Sequence, residues 1–284
     1  MISNIIFDYN PENIDIQYIK DELRNYNSKI AGDYNSKPFN VLLTDNNEII
    51  GGLLGTTYWG WLHIDKFWIH KNHRNCGLGS ELLKFAENKI YDDNCRYIHL
   101  FTHNIKAINF YIRNGYKIIY EFEKSSNGMI RYLITKKIIK NQKVEFLDQY
   151  KINLCPDKNE LRFITDELDS YVNDVFGKKL EKYINVIVKN EKNEIIGGFL
   201  SGIVNDWSYI ENIWIKDDYR NYGLGKKLIE IFEKKAIINH CKYTQLFSYT
   251  FQNMRFFTRI GYKTKCKLKN LPKEYSKCLM IKIL

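Results

Sequence analysis

Hydrophobic residues recur along the chain with a helical period in three places within its first half. Over positions 14–26, apolar residues are spaced three to four apart, which predicts an amphipathic helix. The same spacing predicts a second helix that begins at Leu78 and a third over positions 105–114.

Runs of apolar and β-branched residues between these helices predict strands. Within the stretch 61–69, the alternation places Trp61, His63, Asp65 and Phe67 on one face of a strand. Strands are predicted over positions 40–44, 48–58, 61–69, 97–101, 116–122 and 129–138.

The same pattern occurs twice in the chain. Positions 47–138 match positions 193–284 without a gap, at an offset of 146 residues (193 − 47 = 146). We therefore predict two tandem domains, over residues 1–140 and 144–284. Strands outnumber helices in each half, so the predicted fold class is α+β. Each domain would be a mixed, mostly antiparallel, twisted sheet flanked by helices.

Composition adds little to this picture. The 284 residues carry a formal charge of +10, but the lysines are spread among Asp and Glu rather than clustered, which disfavours a nucleic-acid partner. The six cysteines show no Cys-x-x-Cys spacing, so neither a disulfide framework nor a metal site is expected. With no signal-peptide pattern and no apolar run long enough to span a membrane, we expect a cytoplasmic protein without membrane contacts.

A glycine-rich loop is the part of the repeat with the clearest chemistry. Segment 74–79 reads Arg-Asn-Cys-Gly-Leu-Gly, and segment 220–225 reads Arg-Asn-Tyr-Gly-Leu-Gly; a predicted strand precedes each segment and a helix follows it. Backbone N–H groups at a helix start lack internal partners and can hold a phosphate. The third glycine of a dinucleotide fingerprint is absent, because Leu82 and Leu228 occupy that position.

Two further motifs accompany the loop in the expected order. An aromatic-aliphatic pair ends the preceding strand, as Trp68-Ile69 and again as Trp214-Ile215. Downstream, segment 107–116 reads Ala-Ile-Asn-Phe-Tyr-Ile-Arg-Asn-Gly-Tyr. With these motifs both halves of the chain resemble the GNAT superfamily of acyl-CoA-dependent N-acyltransferases, and the chain resembles a tandem member of it.

The resemblance implies acetyl-CoA as cofactor, with its diphosphate on the glycine loop and its carbonyl polarised by backbone N–H groups of the preceding strand. Asn104 has two interpretations, since it would either contact the coenzyme or cap the following helix. The implied coenzyme-binding residues are Phe67, Trp68, Ile69, Arg74, Asn75, Cys76, Gly77, Leu78, Gly79, Ser80 and Asn104 in the first half, and Ile213, Trp214, Ile215, Arg220, Asn221, Tyr222, Gly223, Leu224, Gly225 and Lys226 in the second.

By position, Tyr111 resembles the tyrosine that protonates the leaving thiolate in this family; the alternative is an aromatic side chain packed on its helix. The equivalent residue of the second half is Phe257, which has no proton to give, and Asn253 replaces the motif's alanine. We therefore expect the first half to catalyse the transfer. The second half would mainly bind, position substrate or stabilise the pair of domains, unless another tyrosine such as Tyr249 supplies the missing proton.

The general base is expected on the strand before the loop. Asp65 is placed like the acidic residue of many small-molecule GNAT enzymes, and His63 lies two positions earlier; their counterparts are Glu211 and Tyr209. A solvated or ion-paired Asp65 and a half-buried structural His63 remain the alternatives. For Cys76, the tyrosine at position 222 of the other copy argues against a catalytic thiol.

The prediction is an N-acetyltransferase that moves an acetyl group from acetyl-CoA to a primary amine by direct attack. The acceptor would be a small cationic amine, such as an aminoglycoside-like antibiotic, a polyamine or an amino acid, rather than a protein amine. A non-catalytic acyl-CoA sensor and an acetyltransferase of aminoacyl-tRNA are the alternatives. The two domains are expected to form an intrachain pseudo-dimer, and the sequence leaves the acceptor's identity and further oligomerisation open.

Overall fold

The structure is a computed structural model that describes residues 5–103, 105–140, 142–145, 147–177 and 181–284. The helices are α1 (Asn13–Ala31), α2 (Leu78–Asp92), α3 (Ile105–Arg113), α4 (Lys158–Phe176), α5 (Leu224–Ile238) and α6 (Met254–Arg259). The strands are β1 (Ile6–Asp8), β2 (Lys37–Asp45), β3 (Glu48–Tyr58), β4 (Trp61–Ile69), β5 (Tyr97–Thr102), β6 (Lys117–Glu121), β7 (Tyr132–Lys137), β8 (Lys151–Asn153), β9 (Glu181–Tyr183), β10 (Val186–Lys189), β11 (Ile195–Val204), β12 (Trp207–Ile215), β13 (Tyr243–Tyr249), β14 (Lys263–Lys269) and β15 (Ser276–Ile283).

These elements form two compact units. Unit N comprises Asn35–Lys124 and Gly128–Lys178, and unit C comprises Met1–Tyr34, Ser125–Asn127 and Lys179–Leu284. Each unit contains one of the two glycine loops, so each is a candidate site of its own.

Each unit is built on one sheet. In the described residues of unit N the strand order is β8-β2-β3-β4-β5-β7-β6, and in those of unit C it is β1-β10-β11-β12-β13-β15-β14, with β9 also paired to β11. All pairs are antiparallel except β4 with β5 and β12 with β13, which are parallel. The predicted mixed, mostly antiparallel sheets with flanking helices are therefore confirmed.

The first strand and helix of each sequence repeat belong to the unit that contains the other repeat. Strand β1 pairs with β10 and helix α1 packs on β11 and β12, whereas β8 pairs with β2 and α4 packs on β3 and β4. The compact units therefore do not follow the predicted domains 1–140 and 144–284, which stay a prediction about the sequence repeat. The physical reason is that α1 and α4 carry equivalent apolar stripes, so the pattern does not tell which sheet each helix covers.

One face of each sheet packs against the helix that follows the glycine loop. In unit N, Leu82, Ala86 and Ile90 of α2 are fully buried in one cluster with Leu62 and Ile64 of β4. At about 25 cal/mol per Å² of apolar surface, each such leucine or isoleucine contributes roughly 1.5–3 kcal/mol by burial. This packing fixes the start of α2 against the end of β4.

A β-bulge at Asp65 corrects the predicted face of β4. Leu54 pairs with Lys66 and Gly55 with Ile64, so Asp65 is an extra residue with no partner on β3. The extra residue reverses the alternation, and Phe67 packs with Phe110 in the core rather than beside Trp61 and His63. Glu211 is the corresponding extra residue of β12 in unit C, because Leu200 pairs with Asn212 and Ser201 with Ile210.

Helix α1 is longer than the predicted 14–26 and ends at Gly32, whose φ of 78° lies in the left-handed region that favours glycine. Strand β7 is shorter than the predicted 129–138. Within the part of the chain that the structure describes, none of the helices combines the length and the apolar character that crossing a membrane requires.

Candidate active site

The candidate site of unit N lies where two neighbouring parallel strands stop pairing. Strands β4 and β5 pair from Trp61–Tyr97 to Ile64–Leu100, and the register ends there although β4 continues to Ile69. The last paired residue of β4 immediately precedes the bulge at Asp65. The bulge therefore ends the pairing and leaves one edge of β4 open.

Two backbone N–H groups of β4 face this open edge. The His70 N–H donates to Ile50 O at 2.8 Å, which fixes the phase of the β3–β4 ladder. Because hydrogen-bonded and non-bonded pairs alternate in an antiparallel ladder, Phe67 and Ile69 direct their backbone groups away from β3. The Ile69 carbonyl accepts a hydrogen bond from Arg74 Nε at 2.8 Å, which supports this direction because the partner is in the loop rather than on β3.

The glycine loop leads from this strand into α2 through left-handed backbone. Asn75 has φ 63° and Gly77, the N-cap residue of α2, has φ 90°. No side chain caps the helix, and the N–H groups of Ser80 and Glu81 both bond to Gly77 O at 2.9 and 3.1 Å. The N–H groups that precede them have no partner inside the helix, which is the arrangement that favours an anion.

Packing, rather than ligand access, explains the second glycine of the loop. A Cβ on Gly79 would lie 3.3 Å from the Phe110 ring, and a Cβ on Gly225 would lie 3.3 Å from Phe256 in unit C. The left-handed Gly77 is therefore the residue that shapes the cradle. An uncapped helix start beside an open strand edge fits the diphosphate and thioester ends of a coenzyme A derivative.

The loop arginine holds the cradle to its strand. With Nε bonded to Ile69 O, the Arg74 guanidinium lies over the Tyr171 ring of α4, with its carbon 5.4 Å from the ring centroid. In unit C, Arg220 bonds to Ile215 O at 2.8 Å and pairs with Asp217 at 2.7 Å. That carboxylate neutralises part of the charge that would otherwise serve a phosphate.

Tyr111 of α3 packs against Phe67, one of the two residues whose backbone faces the open edge. Its ring centroid is 6.1 Å from that of Phe67 and 5.2 Å from that of Phe110, and the residue is 5% exposed. Burial raises the pKa of the Tyr111 hydroxyl well above its usual value of 10. The hydroxyl is therefore protonated throughout the neutral range, as a proton donor must be.

His63 and Asp65 are brought together on the other side of β4. His63 Nε2 lies 3.3 Å from Asp65 Oδ1, and the half-exposed carboxylate reaches solvent. The other ring nitrogen of His63, Nδ1, is buried and has no hydrogen-bond partner among the described residues.

Two neighbours of this pair, His99 and Tyr58, were not predicted from the sequence. The His99 ring stacks on His63 with centroids 4.5 Å apart, and its Nε2 lies 2.8 Å from the Tyr58 hydroxyl. Burial, and then the charge of Asp65, raise the pKa of Tyr58 above its ordinary value. The parallel register of β4 and β5 would have identified His99, because it pairs His99 with His63 and places both side chains on one face of the sheet.

Unit C keeps the loop but changes the groups around it. Phe257 is buried beside Phe256 and Tyr262 in the position of Tyr111. Asn253 caps α6 by accepting from the Phe256 N–H at 3.3 Å, and α6 is shorter than α3. Tyr249 stacks on Phe251 with centroids 5.2 Å apart.

The acceptor-side residues of unit C also differ. The Tyr209 hydroxyl donates to Glu181 at 3.0 Å, in the place where unit N has His63. Burial, together with the hydrogen bond to Glu181, raises the pKa of Tyr209. This tyrosine holds its proton and does not replace an imidazole as a base.

Other predicted coenzyme residues are distributed between the loop surface and the core. Trp68 and Leu78 are buried, and the Trp68 ring packs edge-on against Phe163 of α4. The Trp68 backbone has the same phase as that of His70 and faces β3, so neither its ring nor its backbone faces the open edge. Cys76 is exposed on the loop and its thiol donates to His73 O at 3.1 Å. Asn104 lies outside the described residues, and the alternatives for it stay open.

Comparison with known proteins identifies the family of both halves of the chain. The model of the acetyltransferase (GNAT) family matches residues 2–116, and the model of the acetyltransferase (GNAT) domain matches residues 182–264. The blasticidin-S acetyltransferase of Streptomyces morookaense is 31% identical over 108 residues, which cover 36% of this chain and 79% of that protein. An acetyltransferase of Agrobacterium fabrum is 30% identical over 111 residues, 39% of this chain and 81% of that protein.

Among solved structures, an acetyltransferase from Bacillus cereus superposes with a TM-score of 0.43 at 24% identity, covering 45% of this chain and 94% of its own. The cofactor expected from the sequence, acetyl-CoA, is the one that GNAT acetyltransferases use. This chain therefore belongs to the GNAT family of acetyltransferases and contains two GNAT domains.

Proposed function

We propose that unit N transfers an acetyl group from acetyl-CoA to the primary amine of a small cationic molecule by direct attack. The observation that carries the proposal is the open edge of β4, where Phe67 and Ile69 present N–H groups between the glycine loop and the Asp65 bulge. When bound, acetyl-CoA supplies an acetyl group as a thioester.

The backbone of β4 would stabilise negative charge on the carbonyl oxygen. Donors already fixed in a ladder need no reorganisation during the reaction, and removal of one such donor in other enzymes costs roughly 3 kcal/mol. Arg74 and the start of α2 would hold the coenzyme diphosphate through the N–H groups around Gly77.

Tyr111 is proposed as the acid that protonates the leaving thiolate. The packing of its ring against Phe67 supports this role, and its raised pKa favours a hydrogen bond to the sulfur in which the tyrosine keeps its proton. A thiol has a pKa of about 8.5, so a thiolate near a tyrosine that keeps its proton can be stabilised by hydrogen bonding or proton transfer.

Asp65 and His63 are proposed to receive the proton of the acceptor ammonium. The half-exposed Asp65 carboxylate lies 3.3 Å from His63 Nε2, and its negative charge attracts a cation. The Asp65 carboxylate is reachable from solvent and gives the proton a way out.

The match to a blasticidin-S acetyltransferase supports a small-molecule acceptor rather than a protein. We further propose that unit C binds the coenzyme but turns over little, since Phe257 cannot protonate a thiolate and Tyr209 replaces the imidazole.

Release of free thiol from acetyl-CoA, measured across a panel of amines, tests the proposal. Aminoglycosides, polyamines and amino acids would form the panel, with neutral alcohols as blanks. Tyr111→Phe is expected to lower kcat by about 10- to 100-fold with little change in the KM for acetyl-CoA. Phe257→Leu, at the equivalent position of unit C, is the matched control and is expected to keep kcat.

Asp65→Asn separates the base from the acid. It keeps the shape of the bulge but removes the charge, so kcat/KM for the amine should fall more than kcat/KM for acetyl-CoA. Unchanged turnover in Tyr111→Phe would contradict the acid role, and equal losses in Phe257→Leu would contradict the division of labour between the units.

A further inference from the structure

The exchange of first helices between the two repeats extends to the coenzyme loops. Tyr171 lies on α4, which follows the second repeat's first strand in sequence, yet its ring lies under the guanidinium of Arg74 in unit N. Unit C shows the reciprocal contact, with Arg220 over the ring of Tyr26 on α1 at 5.0 Å. Tyr26 and Tyr171 are equivalent, at the offset of 145 that relates the two helices (171 − 26 = 145).

The same helices are anchored beside the loop in the same way in both units. In unit N, Phe163 packs edge-on against Trp68 at 5.8 Å, and in unit C, Tyr18 packs edge-on against Trp214 at 5.9 Å. Each tryptophan immediately precedes the residue whose carbonyl the loop arginine binds. The tyrosine contact is therefore part of a docking arrangement that occurs twice.

The position of the ring restricts the arginine. Arg74 Nε is held by Ile69 O on one side, and the Tyr171 ring covers a face of its guanidinium. A guanidinium held at Nε and placed over an aromatic ring has fewer orientations open to its remaining N–H groups, and the face of the ring stabilises its positive charge. Both effects favour binding of a diphosphate at the loop.

We propose that each coenzyme loop is completed by a tyrosine of the opposite repeat, with Tyr171 as the positioning residue for Arg74 and Tyr26 as that for Arg220. The inference rests on the proposed coenzyme-binding function of the loops. It adds that the diphosphate site of unit N depends on a residue beyond position 140, outside the repeat that contains the loop.

Calorimetric titration of the full chain with coenzyme A tests the proposal. The titrated chain carries Arg220→Ala, which weakens coenzyme binding at the loop of unit C. The measured Kd then describes mainly the loop that contains Arg74. In that background, Tyr171→Ala is expected to raise the Kd about three- to tenfold, the range of a moderately exposed cation–π contact combined with lost positioning. Tyr171→Phe keeps the ring and should restore the affinity to within twofold.

Ser170→Ala is the matched control, because Ser170 is the exposed neighbour of Tyr171 on the same helix. The reciprocal arm uses Arg74→Ala as background, where Tyr26→Ala should raise the Kd of the remaining site. The chemical shift of the Arg74 Nε–H, measured by NMR, tests the contact without ligand. It should change in Tyr171→Ala, because the ring current is lost, and it should stay the same in Ser170→Ala.

The outcomes distinguish failure of the positioning role of Tyr171 from failure of the proposed function. A Kd for Tyr171→Ala within twofold of that for Ser170→Ala, with an unmoved Arg74 signal, overturns the positioning role and leaves the proposed function intact. A chain that takes up no coenzyme A in any variant overturns the proposed function together with this inference. Loss of affinity in Tyr171→Phe as well as Tyr171→Ala would also contradict the inference, because it would assign the effect to the hydroxyl.

Discussion

Tyr111 shows how burial sets the protonation state of a single side chain. The motif that surrounds it predicts both an acid and a packing aromatic, and the structure shows a residue that is packed and also adjacent to the open strand edge. Burial favours the neutral phenol over the phenolate, which is the protonation state that a general acid requires.

A pH profile follows from this raised pKa. Because the folded-state pKa of Tyr111 lies above its ordinary value, the proton is present at all lower pH values and is lost only above that raised pKa. We therefore expect kcat to stay flat from about pH 8 to about pH 10, where an unperturbed tyrosine would already be half ionised. Thiol release with the non-enzymatic rate subtracted measures it. A decline in kcat with a midpoint below about pH 10 would contradict the assignment.

Cysteine labelling reports on the loop without any turnover. Cys76 is exposed in the loop, so an alkylating reagent should modify it and bound coenzyme A should slow that reaction. Cys155 is exposed in another part of unit N and should be modified at the same rate with or without coenzyme. Burial raises the pKa of the Cys95 thiol to about 11, so it should stay unmodified in the native chain. Mass spectrometry of the peptides measures all three, and equal slowing at Cys76 and Cys155 would speak against binding at the loop.

At the scale of elements, the sequence predicted the order and type of the helices and of the longer strands, and it placed the glycine loop between β4 and α2. It did not predict the short strands β1, β8 and β9. It did not predict the bulge at Asp65, because a single extra residue leaves the hydrophobic pattern of β4 readable as plain alternation. It also missed His99, since a side chain beside the site becomes visible only when the pairing of β5 with β4 is known. Local periodicity carries no information on the register between strands.

A buried ion pair supports the sheet next to α2 in unit N. Glu87 of α2 is 1% exposed at its side chain and pairs with Lys136 of β7 at 2.6 Å, while the Tyr116 hydroxyl donates to the same carboxylate at 3.1 Å. Unit C repeats the pair as Glu233 and Lys282 at 2.7 Å.

Removal of one partner should be costly. Lys136→Met leaves the buried Glu87 charge without a counter-ion, and we expect the free energy of unfolding of unit N to fall by about 3–5 kcal/mol. Lys143→Met is the control, because its pair with Glu145 is exposed and should be worth under about 1 kcal/mol. Hydrogen exchange of β7 amides in urea measures the change, and similar losses in both variants would contradict the role assigned to burial.

At the scale of the molecule, the first strand and helix of each repeat pack on the sheet of the other repeat. A substitution in one of these helices is therefore expected to affect the site of the other repeat. Ile164 of α4 is fully buried in a cluster with Leu42, Leu54 and Trp68 of unit N. Ile19 of α1 is fully buried in the equivalent cluster of unit C. The repeats in the sequence could not reveal this assignment, because both helices offer the same apolar spacing to either sheet.

The matched pair Ile164→Ala and Ile19→Ala tests the exchange in the full chain. Each should destabilise its own unit by about 2–5 kcal/mol, the range of such truncations in buried positions. Ile164→Ala is expected to increase amide exchange in β3 and β4 and to spare β11 and β12, and Ile19→Ala should do the opposite. If each substitution instead affected the sheet of its own repeat, the exchange would be wrong.

The exchange also constrains how the chain folds as it leaves the ribosome. The segment up to Tyr34 belongs with strands that begin near position 181, so it emerges early and must wait for residues made last. Unit N in turn lacks its edge strand β8 and its covering helix until synthesis passes position 176. A nascent chain of the first 140 residues therefore contains helix α1 and the sheet of unit N before either has the partner that it packs against in the folded chain, and apolar surface left exposed in this state would be recognised by chaperones.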